Sequence, residues 1–408
     1  MAHANDYLDS LVFRRVDYRY RKHSFRFDLS QSLFSSAGVD GGTHLLLSVL
    51  AEETDFARFD RIVDVGCGTG TLGIALAGSA ELPLEAYDRD ARAVAFTGRN
   101  ARLNGLDRVQ ADATLGVPDC TSSGRELVVS NVPAKAGDPV LRSLLSGLAR
   151  RASLSDGTAA VVIVKPLAAF LAKTLSEIGA ATVAEARTAN HAAVVFRCAV
   201  PPTAADAPDA PVALPREYVR TTAGFTGPAG PYEMQTVYNL PEFDGLSFRT
   251  ALAFDLLRAN RVGGSVLLYG CGQGHLAVGL AQVSNARTRL VATDRDVLAL
   301  RATQCNARSN GAEETEVKAV PTPASIVDLY PSRDFDWFVV DDDPTPGSRW
   351  SEEIVHTADA LLDDSGKLLA ISRSTSVSRL MREARGAFKE IAERRMHGFR
   401  ASLLRRKR

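Results

Sequence analysis

The sequence predicts an α/β protein made of two tandem, doubly wound units. Short apolar runs that read as strands alternate with helix-length amphipathic stretches along the 408 residues. The same order of signals occurs twice, once in each half. Between the halves, residues 199–215 read AVPPTAADAPDAPVALP, too rich in Pro, Ala and Asp to build a regular element. The expected boundaries are residues 1–199, a linker at 200–215, and residues 216–408.

In the first half, residues 61–65 (RIVDV) read as a buried parallel strand. It runs into Gly66-Cys67-Gly68-Thr69-Gly70, and the helix that follows starts near Leu72. Residues 84–87 form a second strand, ending at Asp88. Residues 91–104 are helical, with Gly105 as the stop. Short strands at 109–111 and 127–130 end at Asp112 and at Asn131-Val132-Pro133. A helix at 139–152, a strand at 159–164 and a helix at 167–178 follow. Residues 182–187 and 192–196 make a closing antiparallel pair.

The second half repeats the series. Strand 265–269 enters Gly270-Cys271-Gly272-Gln273-Gly274, and strand 289–293 ends at Asp294. Helix 296–310 and strands 317–320 and 336–340 come next, the last ending at Asp341-Asp342-Asp343-Pro344. Strand 366–371, helix 376–388 and a final strand at 398–404 complete it. The preceding segments also match, SLFSSAGVDGGTHLLLSVL against EFDGLSFRTALAFDLL. The pattern is a tandem duplication of one α/β unit, each copy with a small N-terminal extension.

Composition narrows the function. Apolar residues are 45% and charged residues 24%, which is globular, and Lys+Arg and Asp+Glu are both 48. That balance excludes a strongly charged binding protein as a whole while leaving room for a local basic patch. The basic residues are 40 Arg and 8 Lys. The five cysteines lie far apart with no CxxC pair, so neither a zinc site nor a disulfide scaffold is expected. The opening MAHANDYLDSLVFRR lacks the apolar core of a secretory signal, and no uncharged apolar run reaches the ~18 residues of a membrane span. The expected location is the cytosol, with no membrane partner and no metal.

The chemistry concentrates at the glycine loops. Gly66, Gly68 and Gly70 let the backbone turn sharply and pass close to a ligand. The absence of GxxxxGK[ST] disfavours a P-loop hydrolase, leaving a dinucleotide or another adenosine-containing cofactor. Asp88, 22 residues after Gly66, stands where a carboxylate accepts both ribose hydroxyls, which also suits NAD. The rest of the pattern favours S-adenosylmethionine. Asp64 can order the loop or meet a cationic amino-acid moiety. Asp112 can accept from an adenine amino group. Asn131 ends the fourth strand, at the carboxyl edge where open α/β sheets place ligands. The cysteines in the two loops, Cys67 and Cys271, read as small buried side chains and not as nucleophiles.

Both halves resemble class I S-adenosylmethionine-dependent methyltransferases. The tandem arrangement resembles the ribosomal RNA small-subunit methyltransferase C type and its large-subunit relatives, which methylate guanine N2 and use the cofactor in one of two domains. VDVGCGTG, LFSSAGVDGGTHLLL and SNVPAKAG carry the likeness. It implies two Rossmann-like domains, each a mostly parallel seven-stranded sheet with helices on both faces. It also implies Asp64, Gly66, Gly68 and Gly70 around the methionine part of the cofactor, Asp88 on the ribose, Asp112 on the adenine, and Asn131 at the start of the catalytic tetrapeptide. That motif is Asn-Pro-Pro-Phe in the family and Asn131-Val132-Pro133-Ala134 here, without its stacking aromatic. Asn131, Pro133 and Lys135 form the expected catalytic group, Lys135 as a contact for a substrate phosphate or carboxylate.

The copies are not equivalent. Leu268 stands for Asp64, Val320 for Asp112, and the Asp triplet for Ser-Asn-Val, while Asp294 still matches Asp88. The first copy is expected to be active and the second degenerate, the reverse of the resembled family. The segment FRRVDYRYRKHSFRF interleaves cations with aromatic rings, and Arg14, Arg15, Arg19, Tyr20, Arg21 and Lys22 are expected to bind substrate. Residues 405–408 are expected as a basic tail, and the Asp341–Asp343 run as a solvated loop in preference to a like-charge cluster that binds a cation. Three functions stay open: methyl transfer to a guanine amine in ribosomal RNA, methyl transfer to a small molecule, and a non-catalytic RNA- or protein-binding scaffold.

Overall fold

Hydrogen bonding sorts the strands into two sheets of seven and two separate hairpins. The computed structural model describes residues 2–120, 123–202, 213–285 and 288–407, with side chains from Asp6 onward. Most of the linker expected at 200–215, residues 203–212, lies outside the described residues. The chain forms two units, Val12–Ala207 and Met1–Leu11 with Pro208–Arg408. This corrects the sequence boundary at the N-terminus. Helix α1 (Ala2–Ser10) belongs with the second unit: Tyr7, Leu8 and Leu11 are buried, the Arg349 guanidinium lies 5.3 Å from the Tyr7 ring centre, and Ser10 Oγ accepts from Arg349 N at 3.3 Å. A helix of nine residues is too short to hold without such a partner.

The first unit opens with a hairpin, β1 (Arg14–Tyr20) and β2 (His23–Leu29), then helix α2 (Gly41–Glu53). The doubly wound part follows: β3 (Arg61–Val65), α3 (Thr71–Ala80), β4 (Leu84–Asp88), α4 (Ala91–Leu103), β5 (Val109–Ala113), β6 (Glu126–Asn131), α5 (Asp138–Leu154), β7 (Thr158–Val164), α6 (Ala168–Glu177), β8 (Ala180–Arg187) and β9 (His191–Cys198). Its sheet order is β5-β4-β3-β6-β7-β9-β8, with β9 antiparallel to both neighbours. The order reverses between β3 and β6, which opens a crevice at their carboxyl ends.

The second unit repeats this plan. Its hairpin is β10 (Val219–Thr226) and β11 (Pro231–Val237), followed by α7 (Phe248–Arg258). Then come β12 (Ser265–Tyr269), α8 (His275–Val283), β13 (Arg289–Asp294), α9 (Val297–Ser309), β14 (Glu316–Ala319), β15 (Phe335–Asp341), α10 (Trp350–Leu361), β16 (Leu362–Arg373), α11 (Ser374–Glu383), β17 (Phe388–Met396) and β18 (Phe399–Arg406). The sheet order, β14-β13-β12-β15-β16-β18-β17, is the first unit's order again. The last helix is shorter than its sequence suggests. It ends at Glu383, and β17 takes up FKEIAERRM as an edge strand whose charges face water. Arg405 and Arg406, expected in a free tail, belong to β18.

One face of the first sheet carries Ile62, Leu84, Leu127, Val129, Val162 and Val195 into a core shared with the hairpin, α2 and α3. The hairpin is fastened by a side chain as well as by packing. Asn100, fully buried on α4, accepts from Asp28 N at 2.8 Å and donates to Asp28 O (3.0 Å) and to Thr69 O in the glycine loop (2.8 Å). One turn on, Asn104 exchanges hydrogen bonds with the Arg26 backbone. Asn306 repeats the arrangement with Gln235 and Gln273, and Asn310 bonds Glu233 O. The sequence signal is NAR-x-NG, present at 100–105 and 306–311. Both tryptophans, Trp337 and Trp350, belong to the second unit. Replacing Asn100 by Ala orphans buried backbone groups and is expected to cost about 3 kcal/mol. In a urea titration it should lower the far-UV circular dichroism midpoint without moving the tryptophan fluorescence transition. Asn306→Ala should move that transition.

Candidate active site

The glycine loop hangs between β3 and α3. Gly66, Gly68 and Gly70 all have positive φ (76°, 56° and 80°). A Cβ added to Gly68 would meet nothing within 4 Å, so this is open space that the loop's backbone lines. Gly73, on the first turn of α3, has the opposite reason to be glycine. A Cβ there would lie 2.8 Å from the Asp64 carboxylate, and its absence lets Gly73 N reach Asp64 Oδ2 at 2.9 Å. Asp64 therefore ties the helix to the strand beneath the loop. Burial pushes its carboxyl up to about 7, against the pull of the Gly73 N–H, and Asp88 pushes in the same direction.

Asp88, at the end of β4, accepts from Gly68 N at 2.9 Å through one oxygen and from Asp90 N at 2.9 Å through the other. Burial raises its carboxyl also, and those two backbone donors oppose the shift. A carboxylate oxygen has a second lone pair, so each can take a hydroxyl besides. The open cradle at Gly68, a diol acceptor beside it and two acids close together fit a cationic ribonucleoside such as S-adenosylmethionine. Cys67 is buried and its thiol is pushed well up, which suits a packing side chain and no nucleophile.

Asn131, the last residue of β6, meets the N-terminus of α2. Its Nδ2 donates to Asp40 Oδ2 at 3.0 Å and to Thr43 Oγ1 at 3.2 Å. Asp40 is also the cap of α2, accepting from Gly42 N at 2.8 Å. A carboxylate can only accept, so the amide nitrogen must face it and Oδ1 must face away. Ser130 Oγ donates to Val65 O at 2.7 Å and joins β6 to β3 below the crevice. The His191 ring lies against Gly41 and Gly42, within 3.6 Å of the Cβ positions those glycines lack. Asp40, Thr43 and His191 are additions to the expected site. The first two sit in the GVDGGTH segment, where an Asp before a helical run marks a cap. Pro133, Ala134 and Lys135 are exposed in the turn that leads to α5.

Three expected positions have surroundings that the sequence does not announce. The pleat of β5 turns Asp112 away from the face of Ala111 and Ala113. It is exposed and takes a hydrogen bond from Gln110 Nε2 at 2.8 Å. Arg15 is committed to the buried Asp28 (2.7 and 3.0 Å), which Arg99 also contacts at 2.7 Å. Tyr20 is buried, with its hydroxyl pushed up to about 12, so it cannot stack on a base. Arg14, Arg19, Arg21 and Lys22 are exposed on the hairpin.

The methyltransferase small domain family profile matches residues 24–188 and again 243–399, most of both units. This chain belongs to the methyltransferase small domain family. The protein YbxB of Bacillus subtilis is 30% identical over 131 residues, covering 31% of this chain and 63% of that protein. The ribosomal RNA small subunit methyltransferase C of Sodalis glossinidius is 34% identical over 131 residues, covering 28% and 34%. The chain thus spans less than two thirds of the length of these relatives. Among solved structures, the Thermus thermophilus 16S rRNA N2 G1207 methyltransferase, determined with S-adenosylmethionine and guanosine, superposes with a TM-score of 0.62 at 15% identity. That match covers 98% of this chain and 99% of the other. The fold is therefore the expected one, two tandem Rossmann-like class I methyltransferase domains.

The second methyltransferase domain differs at the same positions. Strand register equates Leu268 with Asp64, Asp294 with Asp88 and Asp341 with Asn131. It equates Lys318, and not Val320, with Asp112. The Asp triplet is no solvated loop. Arg249 bridges Asp341 and Asp343, the latter at 2.7 Å, and Trp350 Nε1 donates to Asp342 Oδ2 at 2.9 Å. Burial pushes the Asp341 carboxyl up to about 7, opposed chiefly by Arg249. Arg249→Ala strands a mostly buried carboxylate and is expected to cost about 3 kcal/mol at pH 8. At pH 6 the loss should be smaller, because Asp341 can then take up a proton. Urea unfolding followed by tryptophan fluorescence at the two pH values checks this.

Proposed function

We propose that this chain is an S-adenosylmethionine-dependent ribosomal RNA methyltransferase whose first domain transfers the methyl group to an exocyclic amine of guanine. The observation that carries this reading is the fixed orientation of Asn131. Its two N–H groups are spent on Asp40 and Thr43, so its Oδ1 is left as an acceptor at the carboxyl edge of the sheet. An amine that develops positive charge as it attacks is stabilised by such a preorganised acceptor, with no need for a strong base. Bound S-adenosylmethionine supplies an electrophilic methyl on a sulfonium.

The chain's own groups do the rest. Asp88 and the Gly68 backbone hold a ribose, and Asp64 supplies negative charge beneath the loop. The exposed turn at Pro133–Lys135 leaves room for a base swung out of a large RNA, with Lys135 in reach of a phosphate. Arg14, Arg19, Arg21 and Lys22 are further candidates for phosphate contacts. The relatives' names and the tandem fold support this substrate class.

Methyl transfer to small ribosomal subunits that lack their methyl groups, followed with a labelled donor, tests the reading. Asn131→Ala should lower kcat about 10²-fold with little change in donor affinity. Absence of transfer by the wild type to any ribosomal RNA would overturn the substrate assignment.

A pH dependence follows from Asp64. Its folded-state carboxyl, at about 7, lies above its unfolded value, so the native state binds the proton more tightly. Its contribution to the stability of the ligand-free protein therefore falls as pH rises from about 4 through 7. A cationic ligand favours the ionised form, so affinity for S-adenosylmethionine should climb from pH 6 to pH 8 and level off above. Calorimetry should show this slope in the wild type and lose it in Asp64→Asn.

A further inference from the structure

We infer that the second domain keeps a ribonucleoside-binding half-site of its own, centred on Asp294 and Gly272, although its transfer position is closed. This rests on the reading of the first domain as a cofactor site. The loop Gly270, Gly272 and Gly274 has φ values of 79°, 54° and 103°, close to those of the first loop. Gly272 N donates to Asp294 Oδ2 at 3.3 Å and Asp296 N to Asp294 Oδ1 at 3.0 Å, the same two backbone donors that orient Asp88. The buried Cys271 thiol also hydrogen-bonds Asp294. Above the loop, a Cβ at Gly272 would meet nothing within 4 Å. The carboxylate, the loop and the open volume that suit a ribose diol are thus all present twice.

The other half of the site is not repeated. At Gly66 the nearest obstacle to a Cβ is Ser130 Oγ at 4.0 Å, whereas at Gly270 a Cβ would collide with the Asp341 carbonyl. The end of β15 closes on the loop where the end of β6 stands off. Arg249, in the place of Gly42, lies across Asp341 and Asp343 and supplies the positive charge there. Leu268 removes the acid beneath the loop. A sulfonium-bearing amino-acid tail finds here neither the room nor the acid beneath the loop that the first domain offers. The ligand class is accordingly a neutral ribonucleoside or the nucleoside end of a larger molecule, bound by its 2′,3′-diol.

Calorimetric titration of the full chain with adenosine tests this. The wild type should show two sites per chain. Asp88→Ala should retain one, Asp294→Ala the other, and the double variant none. Gly272→Asn should also lose the second site, since Asn tolerates positive φ and would fill the open volume without unfolding the loop. In the Asp88→Ala background, 2′-deoxyadenosine should bind at least tenfold more weakly than adenosine. A wild-type stoichiometry of one, abolished by Asp88→Ala, would overturn the inference and leave the proposed function standing. A single site abolished by Asp294→Ala and kept in Asp88→Ala would overturn the proposed function instead. Unchanged thermal unfolding of each variant shows that lost binding is not lost folding.

Discussion

The first domain's site depends on one amide. Asn100 is the point at which the hairpin, the glycine loop and α4 are made into one rigid piece. Its carbonyl and both its N–H groups are used, so the hairpin cannot shift against the loop without leaving a buried polar group unpaired. The chain of consequence is short. Asn100 holds Thr69 O, Gly68 beside it donates to Asp88, and Asp88 is the ribose acceptor of the proposed reading. Asn306 does the same for Gln273, Gly272 and Asp294. Both units hold this mechanical link, while the groups at the ends of their strands differ.

The difference is electrostatic. In the first domain, burial and the neighbouring Asp88 raise the Asp64 carboxyl, whereas in the second Arg249 bridges Asp341 and Asp343. The neutral Asn131 adds no charge. In the second, Leu268 stands in place of the buried acid, and Arg249 bridges Asp341 and Asp343 at the end of β15. The first domain leaves to a ligand a positive charge that the second supplies from its own chain. Burying such a pair is costly unless it is well bonded, and the triplet accordingly recruits Arg249, Trp350 and Ser372 together.

What was legible in the sequence is what local backbone geometry dictates. The runs RIVDV and SVLLY can only be buried strands. The glycines at 66, 68 and 70 answer to positive φ, and Asp88 and Asp294 stand where strands end. What was not legible depends on partners distant in the chain. Asp40 and Asn131 are 91 residues apart, and nothing near either announces the other. The allegiance of α1 to the second unit is of the same kind. Asp112 shows a subtler limit: in a strand, a shift of one residue exchanges faces, and its short run did not fix the parity. FKEIAERRM lacks the apolar alternation of a half-buried strand because β17 is an edge.

The basic segment shows how composition misleads when partners are hidden. FRRVDYRYRKHSFRF reads as a uniform cationic, aromatic surface, yet the hairpin sorts its residues by pleat. Tyr20, Phe25 and Phe27 enter the core, and Arg15 joins Arg99 on Asp28. Elsewhere Arg151 is buried against Glu126 at 2.7 Å, and Arg61 pairs with Glu85 at 2.8 Å. Much of the arginine in this chain is thus spent on its own acids, in keeping with a net charge of zero. On the proposed reading, RNA affinity then rests on a small set of exposed side chains around the hairpin turn. Few phosphate contacts mean a shallow dependence on salt. Discrimination falls to the placement of one base against Asn131, whose orientation is set by Asp40 and Thr43 and not by the charge of the surface.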